Sequence, residues 1–282
     1  MTNQIIKKLL PVRQKLKNKK PLIHCITNPI SINDCANGIL AVGAKPIMAE
    51  HPGEVAEITA MSGALALNLG NITDARMESM LIAGKTANQR GIPLIVDMVG
   101  TACSRLRLEY TKNFLGQVHP DVIKGNMSEI KAVASLYMED DGVKCSAKGI
   151  DVGDYDRLTD QNLENGLRIL EFLSKKLKTV VLASGEKDLA VSGSEAYLVQ
   201  NGCEAMSCVT GTGCLLNVLA AAFMPVTDSM SAVLMALLLL GVCGETADIS
   251  GGIGTYHIEL LNQLYTMTDE ILLEKGRLEK LC

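Results

Sequence analysis

Short apolar segments of strand type alternate with longer helical segments through much of this 282-residue chain. Six such segments end at polar or glycine-containing turns, and they are Pro21–Thr27, Lys45–Met48, Ala64–Leu69, Pro93–Asp97, Asp121–Ile123 and Thr179–Ala183. Alternation of strands and helices is typical of a parallel sheet whose faces are covered by helices. The sequence therefore predicts an α/β fold with a largely parallel central sheet.

Several helical segments follow a cap-type residue such as Ser31 or Thr73. The predicted helices are Asn33–Val42, Gly53–Ser62, Asp74–Arg90, Ser128–Tyr137, Leu158–Lys178, Gly213–Phe223, Asp228–Asp248 and Tyr256–Leu264. After the sixth strand the pattern changes, because Asp188–Ser192 and Ala196–Gln200 flank Gly193-Ser194-Glu195. This arrangement predicts a hairpin at the edge of the sheet.

The chain length does not require two domains, because single α/β domains reach about 250 residues or more. We expect one domain over residues 1–282. Its first 20 residues are expected to form an N-terminal helix that Pro11 can kink or interrupt, and residues 265–282 are expected to be a C-terminal tail segment.

Composition excludes several functional classes. Hydrophobic residues make up 48% of the chain and charged residues 21%, which favours a compact fold over disorder. The formal net charge is −4, and basic residues are spread along the chain except in its first 20 positions, where they fit the solvated side of a helix. No broad basic surface is predicted, so we expect no nucleic-acid partner.

The nine cysteines are irregularly spaced and lack a CxxC pair, which is not typical of a disulfide framework or a zinc site. This pattern favours the reducing cytoplasm. Six are expected to be buried as small hydrophobic residues, namely Cys25, Cys35, Cys145, Cys203, Cys208 and Cys243. The most apolar run, Ser231–Cys243, is shorter than the roughly 20 residues of a spanning helix, so it predicts a buried helix and no membrane.

The turn Thr210–Cys214 contains two glycines and lies directly before the apolar segment Leu215–Phe223. Backbone N–H groups at a helix N-terminus can bind an anion, and glycines leave space for a phosphate to approach. The turn therefore predicts a γ-phosphate site, with packing glycines as the alternative. Cys214 lies in the first helical turn, where the helix dipole is expected to lower its pKa; burial as a small hydrophobe is the alternative.

Polar residues follow two other predicted strands. Asp97, Asn126 and Glu129 carry oxygen ligands that suit Mg²⁺ or its waters, and Lys124 carries a positive charge for phosphate. Asn126 and Glu129 also have the spacing of a helix cap and its capping-box partner, which remains an alternative. Ser184-Gly185-Glu186 directly follows a strand and is either a third part of this site or an ordinary turn.

Seven motifs in this order closely resemble hydroxyethylthiazole kinase, and they are His24–Asn28, Lys45–Met48, Leu67–Gly70, Asp97–Gly100, Ile123–Asn126, Ser184–Glu186 and Val209–Cys214. Cysteine at the end of the glycine turn is characteristic, because most ribokinase-like proteins have aspartate there. The resemblance implies a three-layer ribokinase-like fold and a homotrimer. It also implies ATP-dependent phosphorylation of the hydroxyl of 4-methyl-5-(2-hydroxyethyl)thiazole, a salvage step toward thiamine.

The resemblance also implies roles for individual residues. Positions implied to contact the thiazole alcohol are Met48, Gly211, Asn28 and Gly70. Positions implied to contact ATP are Lys124, Ser184 and Gly213. Positions implied to hold Mg²⁺ and its waters are Asp97, Asn126 and Glu129, and Cys214 occupies the position of the superfamily's catalytic base.

The sequence departs from the family pattern at a few positions. The family more often has arginine at Lys124, threonine at Ser184 and proline at Met98. Lysine keeps the positive charge of arginine but cannot form bidentate hydrogen bonds. This difference predicts weaker nucleotide binding without loss of the reaction. Met138–Asp154 fits the pattern poorly and is predicted to be a variable loop over the nucleotide.

Two other functions are compatible with these motifs. An ATP- or ADP-dependent hydrate dehydratase has the ribokinase-like fold and a related glycine turn, but its usual aspartate is absent here. A non-catalytic thiazole sensor on the same fold would bind without turnover. Asp97, Glu129 and Cys214 argue against this second alternative, because a protein that only binds has no need for them.

Overall fold

The computed structural model describes residues 2–138 and 162–282, so most of the predicted loop Met138–Asp154 lies outside the described residues. The strands, in chain order, are β1 Leu22–Ile26, β2 Lys45–Ile47, β3 Ala64–Asn68, β4 Leu94–Asp97, β5 Val122–Gly125, β6 Val180–Ala183, β7 Asp188–Ser192, β8 Glu195–Val199 and β9 Leu278–Lys280. They form one sheet in the order β2-β1-β3-β4-β5-β6-β7-β8-β9. Strands β1 to β6 are parallel, and β7 to β9 continue the sheet in antiparallel pairs.

Helices cover both faces of the sheet. In chain order they are α1 Thr2–Leu9, α2 Pro11–Lys19, α3 Ile32–Ala41, α4 Val55–Met61, α5 Asp74–Arg90, α6 Arg105–Leu115, α7 Met127–Met138, α8 Leu163–Leu177, α9 Thr212–Phe223, α10 Ser229–Thr246, α11 Ile253–Thr266 and α12 Asp269–Lys275. Successive strand residues face opposite layers. Ile95 in β4 packs with residues of α1 to α3 and α9 to α12, whereas Val96 packs with residues of α4 to α8. The predicted three-layer α/β fold is confirmed.

Helix α10 is apolar on all sides and lies inside the first of these two layers. Among the described residues it is the one helix whose length and hydropathy would suit a membrane, but 78% of it is buried within the protein. A helix that is hydrophobic all round needs neighbours on every side, and α9 supplies one of them. The prediction of a buried helix over Ser231–Cys243 is confirmed.

The N-terminal prediction is confirmed, and the C-terminal one differs in detail. Pro11 interrupts the N-terminal helical segment, one of the two predicted outcomes, because it begins a separate helix α2, where its missing N–H costs no hydrogen bond. The expected tail contains helix α12 and strand β9, which pairs with β8. The predicted hairpin of β7 and β8 is therefore present but does not form the edge. Strand β9 has only three residues, which is too short for its alternating pattern to be recognised in the sequence. Its partner strand β8 lies about 80 residues earlier in the chain.

The cysteine prediction is partly confirmed. Cys25, Cys35 and Cys243 are buried, Cys203 and Cys208 are exposed, and Cys145 lies outside the described residues. Cys203 directly precedes the short 3₁₀ turn Glu204–Cys208 and Cys208 is its last residue; the turn runs over the surface as connecting segments usually do.

Candidate active site

The carboxyl ends of β3, β4 and β5 meet the N-terminus of α9 at one edge of the sheet. Asn68 ends β3 and lies opposite Asp97, which ends β4 and lies opposite Lys124 in β5. The parallel register therefore places three polar side chains in a row. Ligands of open α/β sheets bind outside the carboxyl ends of the strands, so this edge is the candidate site.

A buried ion pair lies at the centre of this row. Lys124 Nζ donates a hydrogen bond of 2.8 Å to Asp97 Oδ2, and the side chains are only 4% and 1% exposed. Burial raises the pKa of the Asp97 carboxyl to about 6, although the Lys124 ammonium acts in the opposite direction. Burial lowers the pKa of Lys124, but its attraction to Asp97 is strong enough that the net direction is upward.

The second carboxylate oxygen of Asp97, Oδ1, is fully buried and has no hydrogen-bond partner among the described residues. Such an oxygen is costly unless something binds it. The described residues contain no cluster of three histidine, cysteine or acidic residues that could enclose a metal ion. This donor set fits Mg²⁺ rather than a transition metal, because Mg²⁺ is usually held by one or two carboxylates together with waters and substrate phosphates.

Asn126 and Glu129 form the capping box that their spacing predicts. Asn126 Oδ1 accepts from the Glu129 backbone N–H at 2.8 Å, and Glu129 Oε2 accepts from the Asn126 backbone N–H at 2.7 Å. Glu129 Oε1 accepts a further 2.7 Å bond from the backbone N–H of Gly100. Both oxygens of Glu129 therefore already accept a backbone hydrogen bond, and their remaining lone pairs are available to water. Their role at the metal stays a prediction.

The glycine turn brings the N-terminus of α9 close to this ion pair. Gly211 adopts φ +88°, and a Cβ there would lie only 2.8 Å from Ser31 Cβ, so the position requires glycine in both conformation and space. A Cβ at Gly213 would lie 3.6 Å from Lys124 Nζ. The free N–H groups of the first turn of α9 and the Lys124 ammonium are therefore close enough to bind the same anion.

Cys214 lies in the first turn of α9 and is only 8% exposed. Burial raises the pKa of its thiol, and Asp97 adds to this effect, while Ser31, Lys124 and Asn68 act against it. The predicted lowering of this pKa is therefore wrong, because desolvation exceeds the help from neighbouring donors. Cys214 is a neutral thiol near pH 7.

Sequence reasoning missed the role of Asn68. Its Nδ2 group donates to Asp97 Oδ2 at 3.2 Å and to Cys214 Sγ at 3.3 Å. Its Oδ1 atom accepts from the Gly70 backbone N–H at 2.7 Å, which fixes the orientation of the amide. The available signal was a polar residue that ends an apolar strand, as Asp97 does on the next strand.

The predicted substrate positions are partly brought together. A Cβ at Gly70 would lie 2.5 Å from Asn28 Nδ2, so these two residues are direct neighbours. Gly211 packs against Ser31, three residues after Asn28. Met48 follows β2 and packs, partly buried, at the margin of the core that contains α9.

The third predicted ATP position lies beyond the ion pair. Ser184 follows β6, which pairs with β5, the strand of Lys124. Its backbone N–H donates to the Gly125 carbonyl at 2.8 Å, and its hydroxyl donates to the same carbonyl at 3.4 Å. Ser184 therefore lies at the same edge of the sheet as Lys124 and Gly213, one strand further along.

Solved structures of low sequence identity share this fold. A ribokinase-like superfamily protein from Enterococcus faecalis V583 superposes with a TM-score of 0.62 at 11% identity, over 90% of this chain and 89% of that chain. The sheet and its flanking helices therefore define the class of protein by fold, which is the ribokinase-like α/β fold.

More similar proteins identify the family. The model of the "Hydroxyethylthiazole kinase family" matches residues 13–270. "Hydroxyethylthiazole kinase 2" of Clostridium botulinum (strain 657 / Type Ba4) is 49% identical over 269 residues, which are 95% of this chain and 99% of that protein. The hydroxyethylthiazole kinase protein from Pyrococcus horikoshii OT3 superposes with a TM-score of 0.86 at 27% identity, over 98% of this chain and 100% of that chain. The chain belongs to the hydroxyethylthiazole kinase family, as the motifs predict.

Replacing Lys124 by methionine should leave Asp97 without its cation. We expect the free energy of unfolding at pH 8 to fall by about 3–5 kcal/mol, the usual cost of a buried charge that loses its partner. The loss should shrink as the pH falls, because a carboxyl whose folded-state pKa is raised favours the folded state at low pH. Urea denaturation between pH 5 and 8 measures both effects.

The matched control combines Lys124→Met with Asp97→Asn, which removes both charges at once. This double variant should recover much of the lost stability and should lose the pH dependence. A single Lys124→Met variant that is as stable as the wild type at pH 8 would contradict the proposed charge balance.

Proposed function

We propose that this protein transfers the γ-phosphoryl group of ATP to the hydroxyl of 4-methyl-5-(2-hydroxyethyl)thiazole, in thiamine synthesis or salvage. Family membership supports the reaction. The observation that carries it in this chain is the approach of Lys124 to the open N-terminus of α9, beside the unpartnered oxygen of Asp97. A positive charge, free backbone N–H groups and a carboxylate are what a transferring phosphoryl group requires.

The substrates are proposed to bind on either side of the glycine turn. The alcohol would lie among Asn28, Gly70, Gly211 and Met48, and the triphosphate would lie over Lys124, Gly213 and Ser184. The alcohol oxygen would then face the γ-phosphorus directly, as in-line attack requires. The N–H groups of residues 211–214 and the Lys124 ammonium would stabilise the negative charge that develops on the phosphoryl oxygens.

Asp97 is the residue proposed to bind Mg²⁺, directly or through water, with Asn126 and Glu129 orienting waters beside it. When bound, Mg²⁺ would neutralise charge on the β- and γ-phosphates. The buried Oδ1 atom of Asp97 supports this assignment, because none of the described residues donates a hydrogen bond to it.

Cys214 is proposed to contact the reacting hydroxyl but to contribute only modestly as a base. Its pKa is raised by burial, and a neutral thiol is a poor acceptor of a proton from an alcohol. The Asn68 amide donates to Cys214 Sγ, so it fixes where the sulfur lies. Most of the acceleration would then come from positioning and electrostatic stabilisation.

The hydrate dehydratase and the non-catalytic sensor stay as alternatives, although no observation in this structure favours either. A panel assay with purified protein separates them. We expect Mg²⁺- and ATP-dependent phosphorylation of the hydroxyethylthiazole, with ADP formed in equal amount, and little turnover of pyrimidine alcohols or hydrated NADH. Removal of Mg²⁺ by chelation should stop the reaction. A hydroxymethylpyrimidine preference would overturn the substrate, and binding without turnover would support the sensor.

Substitutions at Cys214 test its role in the reaction. Cys214→Ala should lower kcat by about two- to tenfold, which is less than the roughly 10²–10⁴-fold that an effective general base contributes. Cys214→Asp should retain activity, because a carboxylate can also accept the hydroxyl proton. Steady-state kinetics and calorimetric binding measure these outcomes. An inactive Asp variant that still binds both substrates would refute the proposal.

We also propose that the protein is a cytoplasmic homotrimer. The eight cysteines among the described residues are free thiols, which supports a reducing compartment. Helices α3 and α11 pack together and leave large apolar side chains uncovered, among them Leu40 on α3 and Ile258 on α11, which are 54% and 62% exposed. Apolar side chains grouped in this way are typical of a subunit interface.

Light scattering of the purified protein measures the oligomeric state. A mass of three chains is expected for the wild type, and Ile258→Glu should shift it toward one chain, because a carboxylate would be buried in the interface. Lys85→Glu, a charge change outside these two helices, is the control and should leave the trimer intact. A wild-type monomer would contradict the proposed assembly.

A further inference from the structure

Arg76 in helix α5 is a buried charge outside the predicted substrate, ATP and metal positions. The residue is only 4% exposed. Among the described residues its acidic neighbour is Glu50, whose carboxylate Oε2 lies 3.4 Å from Arg76 Nε and whose side chain is 48% exposed. Within the same part of the chain the Nε atom has no hydrogen-bond partner. An arginine is costly to bury with such weak compensation, so its other contacts must explain its presence.

These other contacts are backbone carbonyl groups of two separate turns. Arg76 Nη1 donates to the carbonyl of Asn71 at 2.9 Å and to that of Gly70 at 3.3 Å, and Arg76 Nη2 donates to the carbonyl of Thr27. Thr27 follows β1, and Gly70 and Asn71 follow β3. One guanidinium therefore holds the turns after two neighbouring strands, and Glu50 lies beyond the end of a third strand, β2.

Each of these contacts adjoins a predicted substrate position. Thr27 directly precedes Asn28, Gly70 is itself such a position, and Glu50 lies two residues after Met48. The backbone of Asn71 is left-handed, with φ +50°, so the turn after β3 is not in a conformation that most residues favour. A hydrogen bond to its carbonyl stabilises this turn.

We propose that Arg76 is a positioning residue that sets the shape of the acceptor-alcohol pocket, an inference that rests on the proposed function. Its planar guanidinium donates hydrogen bonds in several fixed directions at once, whereas a lysine ammonium lacks this fixed planar arrangement of donors. Loss of the guanidinium removes this donor from the buried carbonyl groups of Thr27 and Gly70, and the turns must move to recover a hydrogen bond. On the nucleotide side of the site, Lys124 and Ser184 bond to Asp97 and Gly125 and not to Arg76.

The test is a comparison of Arg76→Lys and Arg76→Gln with the wild type. We expect the KM for the thiazole alcohol to rise by about tenfold or more, because about one hydrogen-bonded contact is lost from the pocket. The KM for ATP and the affinity for ADP should change by less than about threefold. Lysine should preserve the pocket better than glutamine, since it keeps the charge.

Arg13→Lys is the matched control. Arg13 is also a buried arginine, and it donates to the Met267 carbonyl and to Asp269, among elements on the other face of the sheet. Its substitution should lower the thermal unfolding temperature without changing either KM. A buried substitution at Arg76 can prevent folding, so Glu50→Gln is a second variant. It should fold, and it should raise the KM for the alcohol selectively but to a smaller extent.

The outcomes separate this inference from the proposed function. If the wild type phosphorylates the thiazole alcohol but the Arg76 and Glu50 variants change both KM values equally, or change neither, Arg76 does not position the pocket. If the wild type phosphorylates no alcohol of the panel, the proposed function and this inference both fail. A selective rise in the KM for the alcohol, absent in Arg13→Lys, supports the assignment.

Discussion

The buried ion pair between Asp97 and Lys124 is the interaction on which the rest of the site depends. Two charges that are 1% and 4% exposed can stay ionised only if their neighbours replace the lost water. Asn68 supplies one donor to the carboxylate, and the remaining oxygen of Asp97 has no partner in the part of the chain that the structure describes. The charge of the pair is thus incompletely compensated there, which supports the proposal that it binds a ligand as well as stabilising the fold.

The core of the protein fixes the geometry around this pair. Helix α9 is buried along most of its length, so its N-terminus cannot shift without disturbing the core. Asn217, one turn after Cys214, donates to the Leu67 carbonyl at 3.1 Å and joins α9 to β3 next to Asn68. The separation between Asn68 and Cys214 is therefore set by packing and not by the glycine turn alone.

Local signals made some elements predictable and left others hidden. Helix α5 begins and ends as predicted, because the Thr73 side chain caps its N-terminus and Gly91 ends it in a left-handed conformation. The polar residues at the strand ends were predictable because parallel strands bring their carboxyl ends to one edge. Three features could not be predicted from the sequence: strand β9, the role of Asn68 and the pKa of Cys214. Each depends on residues that are distant in the sequence and become neighbours only in the folded chain.

The raised pKa of Cys214 bears on why a thiol suits this position. A carboxylate here would place a second negative charge next to Asp97, and Lys124 would then face two buried anions. A neutral thiol keeps one anion and one cation in the site before ATP binds. The cost is a weaker proton acceptor. We infer that rate acceleration at this site depends more on positioning of the alcohol than on removal of its proton. The turns after β1, β2 and β3 would position the alcohol.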